Sequence, residues 1–187
     1  MAFTAEQHDF IAEPSRFFIM RADKSGMTVD VLHTFRDDSA TMRVRLLSAF
    51  PLVNASGPEL DRAETVTLFN DLCLLAPAAL IDTTIRWESL DEGSVRAHYT
   101  VGSNTVRAVL SFNEIGELVD FVSEDRFSAS PDGRQFVRQP WSTPVRAYRD
   151  FGRRRVSTRG QGRWHTAEGE FVYIELELTD LKTNGAQ

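Results

Sequence analysis

The chain of 187 residues carries 27 acidic and 21 basic side chains, a net charge of −6, with hydrophobic residues at 42% and charged residues at 26%. That length suits one domain spanning 1–187 with a real core, and the balance excludes a disordered chain and nonspecific nucleic-acid binding by the whole surface. A lone Cys73 excludes an intrachain disulfide, no apolar run reaches the ~20 residues of a bilayer span, and no basic, apolar leader opens the chain, so the cytoplasm is the expected location.

In chain order, Thr4-Ala5-Glu6-Gln7 has the form of a capping box and predicts a short helix through about Ile11, stopped by Pro14. The period then changes to two. Arg16 to Ala22 reads as a strand, and after Ser25-Gly26 the run Met27 to Arg36 puts Val29, Val31, His33 and Phe35 on one face. Asp37-Asp38-Ser39 reads as a hairpin turn into a strand over Ala40 to Ala49, and Phe50 to Pro58 as a loop. Asp61 to Asp82 is the long apolar segment, a helix expected to start at Arg62 behind an Asp61…Glu64 capping box and to be bounded or kinked by Pro77. Its apolar arc, Val66, Leu68, Phe69, Leu72, Cys73, Leu75 and Ala76, covers about half the circumference, the width of a helix embraced by a sheet.

Beyond it strands recur at meander spacing: Thr83 to Ser89, Ser94 to Val101, Thr105 to Phe112 and Glu117 to Phe127, joined by turns too short for parallel crossovers. Gln135 to Gln139, Val145 to Phe151, a segment through Val156, Gly162 to His165 and Glu170 to Thr179 complete about ten strands. The expected fold is α+β: a curved, mostly antiparallel meander sheet, a half-barrel or open barrel, wrapped around one main helix, with a short N-terminal helix.

Chemistry is sparsely signalled. The four histidines, His8, His33, His98 and His165, stand at no metal-ligand spacing, and there is no G-x-S-x-G elbow, P-loop or dinucleotide fingerprint, so no metal or cofactor is expected and the balance leans against catalysis. His33, among apolar neighbours, reads as a satisfied core histidine. Glu64, Thr67, Asn70 and Asp71 form a polar strip opposite the helix's apolar arc, and its two carboxylates would serve as acid and base only if burial drove their pKa values apart. In Asp125-Arg126, strand alternation lets only one side chain face the helix, and Arg126 would there meet Glu64 or Asp71 in an internal ion pair. Seven arginines against one acid between Arg146 and Arg163 make either an acidic-partner site or a solvated hairpin pairing with the chain's own carboxylates.

Taken together, Phe3-Thr4-Ala5-Glu6-Gln7, Glu64-Thr65-Val66-Thr67-Leu68-Phe69-Asn70-Asp71, Ala76-Pro77-Ala78-Ala79-Leu80-Ile81-Asp82, Ile85-Arg86-Trp87-Glu88, Ser123-Glu124-Asp125-Arg126, Trp141-Ser142-Thr143-Pro144 with Tyr148, and Trp164 make the chain resemble a bacterial family known as a domain of unknown function, over nearly its whole length. The resemblance implies no activity. Members usually carry residues ahead of the Phe3 motif, including a strand. Either this chain is a naturally short member or that strand and any targeting segment are missing, and an uncovered sheet edge would then invite a homodimer.

The functional expectation is a binding module for a hydrophobic or lipid-like small molecule held in a cavity between helix and sheet, lined by Glu64, Asn70, Asp71, Trp87, Asp125, Arg126, Trp141 and Tyr148. One alternative is an enzyme using the carboxylates and Arg126 on a small anionic substrate. Another is an interaction protein using the arginine-rich hairpin.

Overall fold

A computed structural model describes residues 1–24, 26–81 and 85–183. The chain runs β1 (Phe3–Phe10), β2 (Ser15–Lys24), β3 (Met27–Arg36), β4 (Ser39–Leu46), β5 (Phe50–Ser56) and α1 (Pro58–Leu75). A 3-10 turn at Pro77–Ile81 leads to β6 (Ile85–Ser89), β7 (Ser94–Val101), β8 (Asn104–Phe112), β9 (Leu118–Ser123), β10 (Phe127–Ala129) and β11 (Phe136–Arg138). It ends with β12 (Trp141–Ser142), β13 (Val145–Phe151), β14 (Arg154–Thr166) and β15 (Gly169–Glu177). All strand pairs are antiparallel, as the short turns require.

The strands divide into two main sheets. The first is the meander β1-β2-β3-β4-β5; the second has the order β13-β14-β12-β9-β8-β7-β6, with β15 also on β14, and neither closes into a barrel among the described residues. β12 and β13 lie along one edge of β14 in a single register, Ser142 opposite Arg163 and Val145 opposite Gly160. Because Gly160 also faces Leu176 and Arg163 faces Val172, β15 occupies the other edge of β14.

α1 lies between the sheets, touching β3, β4 and β5 on one side and β8, β9 and β14 on the other. One continuous core results: Phe35, Ala40 and Val53 from the first sheet, Val66, Leu68 and Phe69 from the helix, and Tyr99, Leu110, Phe121 and Trp141 from the second. Phe69 stacks on Tyr99 at 4.9 Å and meets Phe121 edge-on at 5.5 Å, so the helix–sheet interface at this point is filled by side chains.

Several expectations need correction. The Thr4–Gln7 box opens no helix: β1 pairs with β2 from Phe3 to Phe10, and alternation turns Gln7 and Asp9 inward. α1 begins at Pro58 rather than Arg62. Gly57 caps it at φ 122°, a conformation glycine alone adopts freely, Pro58 needs no N–H in the first turn, and the Asp61 amide donates to the Gly57 carbonyl at 2.9 Å. Asp61 instead accepts from the Ala40 amide at 2.6 Å, tying the helix to β4. Phe50–Ser56 is strand β5, not loop, and Arg154–Thr166 is one strand where two were expected. The expected Glu117–Phe127 strand ends at Ser123 in a bend. The β3–β4 turn is as read: Asp37 and Asp38 take φ 51° and 62°, the left-handed pair of a two-residue hairpin. The expected helix end at Asp82 and strand start at Thr83 lie outside the described residues.

Candidate functional site

Glu64 and Asp71, on the polar strip of α1, face β2 of the first sheet, with Glu64 fully buried. Arg16, which alternation on β2 points at the helix, donates from Nε to Asp71 Oδ2 (2.6 Å), from Nη1 to Glu64 Oε2 (3.1 Å) and from Nη2 to Gln7 Oε1 (3.1 Å). Its guanidinium also lies 5.1 Å from the Phe18 ring. His33 Nδ1 stands 3.4 Å from Glu64 Oε1, and Gln7 donates to Asp9 at 2.8 Å. A buried arginine thus clamps two helix carboxylates to β1 and β2.

The two carboxylates part company in acidity. Burial alone would raise Glu64, but His33, Arg16 and Arg126 outweigh it and hold the group down to about 2. Burial pushes Asp71 up to about 7; Arg16 pulls it down, while nearby Asp9 and Glu64 push it further up. Such a split is what acid–base chemistry needs. Each of the three Arg16 nitrogens donates to a protein acceptor, three of the five guanidinium N–H groups, so the arginine is tied to the fold on every nitrogen.

Asp125 is likewise partnered within the protein. Its Oδ1 accepts from Arg62 Nη2 (2.8 Å) and Arg138 Nη2 (2.7 Å), and its Oδ2 from the Arg107 amide (2.8 Å). Burial opposes its charge, but these donors hold its pKa below the ordinary aspartate value. The alternation argument fails here because the chain bends after Ser123. Both neighbours reach the helix, Asp125 through Arg62 and Arg126 by donating from Nη1 to Thr67 Oγ1 at 2.9 Å. Among the described residues Arg126 makes no direct bond to a carboxylate; its guanidinium lies over Trp141 at 4.2 Å and near Trp164 at 5.5 Å.

The other expected residues scatter. Asn70, only 3% exposed, is one turn along from Thr67, and its Nδ2 has no hydrogen-bond partner among the described residues; neither do Arg126 Nε and Thr143 Oγ1. Trp141 packs edge-on against Phe121 at 6.1 Å and donates from Nε1 to Tyr173 Oη at 3.3 Å. Trp87, 44% exposed on β6, joins none of these groups in a shared site. The structure thus brings Glu64 and Asp71 together through Arg16, and Arg126 together with Thr67 and Trp141, while Tyr148 lies in neither group.

Tyr148 instead borders an apolar cleft of about 180 Å³ at the C-terminal end of α1. Leu74, Pro77, Leu80, Leu110, Phe112 and Leu118 form its walls, Cys73 lies at its helix side, and Arg155 and Glu117 pair across its rim at 2.9 Å. The Tyr148 hydroxyl donates to the Leu118 carbonyl at 2.8 Å, pinning β13 against β9. Burial raises the Cys73 thiol well above its ordinary value, so the cleft presents a neutral sulfur.

Sequence reasoning missed Arg16 and most of the cleft. Arg16 was detectable: a lone cation two residues before Phe18 on a strand face destined for the core. The cleft was not, because Leu110, Phe112 and Leu118 converge on Leu74 only through the β8–β9 register, which shifts at Ser111/Phe112. Among the described residues, three of the seven arginines of the hairpin segment pair with carboxylates of the same chain, Arg155 with Glu117 and Asp150, Arg159 with Glu177 and Arg163 with Glu170, while Arg149 lies 5.8 Å from the Phe151 ring. Among the described residues no metal-competent group of His, Cys, Asp and Glu is found, and no helix is long and apolar enough to cross a membrane.

A model described as a family of unknown function matches residues 1–176. No curated protein and no solved structure matches the chain.

Proposed function

From the premise that the chain belongs to that family, DUF6544, we propose that it binds a small apolar molecule in the cleft at the C-terminal end of α1. The observation that carries this reading is the lining: leucines from the helix, the 3-10 turn and two strands, with Phe112 and Pro77, around about 180 Å³. An apolar cavity of ~150 Å³ holds a single benzene ring, so the fitting ligand is one ring or a short aliphatic chain rather than a whole lipid. Burying the ~150 Å² of one ring at ~25 cal/mol/Å² supplies about 4 kcal/mol, an affinity of about 1 mM. The partners that Arg16 and Asp125 already have within the protein support a scaffolding role for those clusters, which leaves the cleft as the better-supported binding region.

Toluene and hexanol, titrated against protein with labelled leucine methyls, are expected to shift Leu74, Leu80, Leu110 and Leu118 in a saturable way. Leu74→Trp fills the cleft and should abolish those shifts while the fold persists. Methyl signals that stay put up to the solubility limit of both probes would overturn the reading.

A further inference from the structure

The ladder between β8 and β9 ends with Val109 opposite Val122, so the Asn104–Arg107 end of β8 runs on without that neighbour. Side chains take over the edge: the Ser123 hydroxyl donates to the Arg107 carbonyl at 2.6 Å, and Asp125 accepts the Arg107 amide at 2.8 Å. The buried Asp125 carboxylate also gathers three guanidinium groups from three elements, Arg62 of α1 at 2.8 Å, Arg138 of β11 at 2.7 Å and Arg107 of β8 at 3.7 Å. One arginine would neutralise it. Three leave two positive charges uncompensated, and neither Glu59, one turn before Arg62, nor Glu124, beside Asp125, forms an ion pair with any of them among the described residues.

We propose that Arg62, Arg107 and Arg138 form a binding site for a phosphate group, free or esterified. The donors are there as well as the charge. Among the described residues Arg62 gives one N–H to a protein acceptor, Arg138 two and the Arg107 side chain none, out of five on each guanidinium. All three side chains reach water, at 33%, 48% and 55% exposure. A dianion balances the two spare charges, and its several oxygens match planar N–H forks, which makes phosphate a better guest than a carboxylate. Asp125 positions the site without touching the guest: its scaffolding contacts hold together three cations that would otherwise repel one another. The site shares no residue with the apolar cleft, so either can stand without the other.

Inorganic phosphate, titrated at constant ionic strength and about pH 7 into the whole chain with nitrogen-labelled arginines, is expected to shift the Nε–H signals of Arg62, Arg107 and Arg138 together and saturably. Sulfate should compete for the site, and acetate, with a single charge, should not. Arg107→Gln loses only a long, exposed ion pair, so it should weaken phosphate binding about tenfold or more with an unchanged melting temperature, and Arg107→Lys should recover part of the loss. Arg159→Gln, the same change of charge on the hairpin, should leave binding intact. Phenyl phosphate binding more tightly than inorganic phosphate would assign the group to an ester, and equal binding to the free ion; both uphold the site. Arginine signals that stay put up to ~50 mM phosphate, or an affinity lowered as much by Arg159→Gln as by Arg107→Gln, overturn the proposal.

Discussion

Arg16 and the carboxylates it holds set the energetics at residue scale. Replacing it with Met strands Glu64 and Asp71 in the interior, and losing one partner of a buried ion pair costs about 3–5 kcal/mol, readable as a lowered urea midpoint. The two acids act on stability in opposite pH windows. Glu64 is depressed to about 2, so its contribution is fully present above its unfolded value of 4.5 and is lost as pH falls toward 2. Asp71 is raised to about 7 from 3.8: the folded state holds the proton more tightly, so stability falls as pH rises between those values. Burial raises Asp9 in the same direction. The joint contribution of Glu64 and Asp71 to stability is therefore greatest near pH 4–5, and Asp71→Asn should flatten the decline between pH 5 and 8 in urea midpoints.

At the scale of elements, closeness of packing decides what substitution is tolerated. Gly162→Ala puts a methyl against Ile174 and the Tyr173 ring, and overpacking of this kind costs about 1–3 kcal/mol; it should also raise amide exchange along β15 specifically. Periodicity served the sequence reading well where it was long: β3, β7, β8 and the body of α1 stand where alternation and the apolar arc put them. It failed where a local motif competed with a distant partner. Thr4–Gln7 reads as a cap only until β2 supplies a ladder for it, and Asp61 and Glu64 read as a capping box although their partners, Ala40 and Arg16, are 21 and 48 residues away. The candidate site was therefore half legible. Helix residues, Arg126 and Tyr148 were nameable, but the bend after Ser123 and the register shift in β8–β9 follow from pairing that no local window contains.

For the whole molecule, the first sheet is attached to the rest through polar ties as well as grease: Arg16 to Glu64 and Asp71, and the Ala40 amide to Asp61. Cutting the Arg16 tie should loosen that sheet before the second. In Arg16→Met, hydrogen exchange is expected to rise in β1, β2 and β3 at denaturant concentrations where β7, β8 and β9 stay protected; equal loss in both sheets would show instead a single cooperative unit.

Cys73, the chain's single sulfhydryl, sits against the cleft with its proton held tightly. It is a natural stopwatch for breathing of that region. A maleimide can react only when the wall swings outward and the thiol ionises, so the alkylation half-time of the untouched protein counts opening events, and a guest lodged beside it should lengthen that half-time without any engineered label.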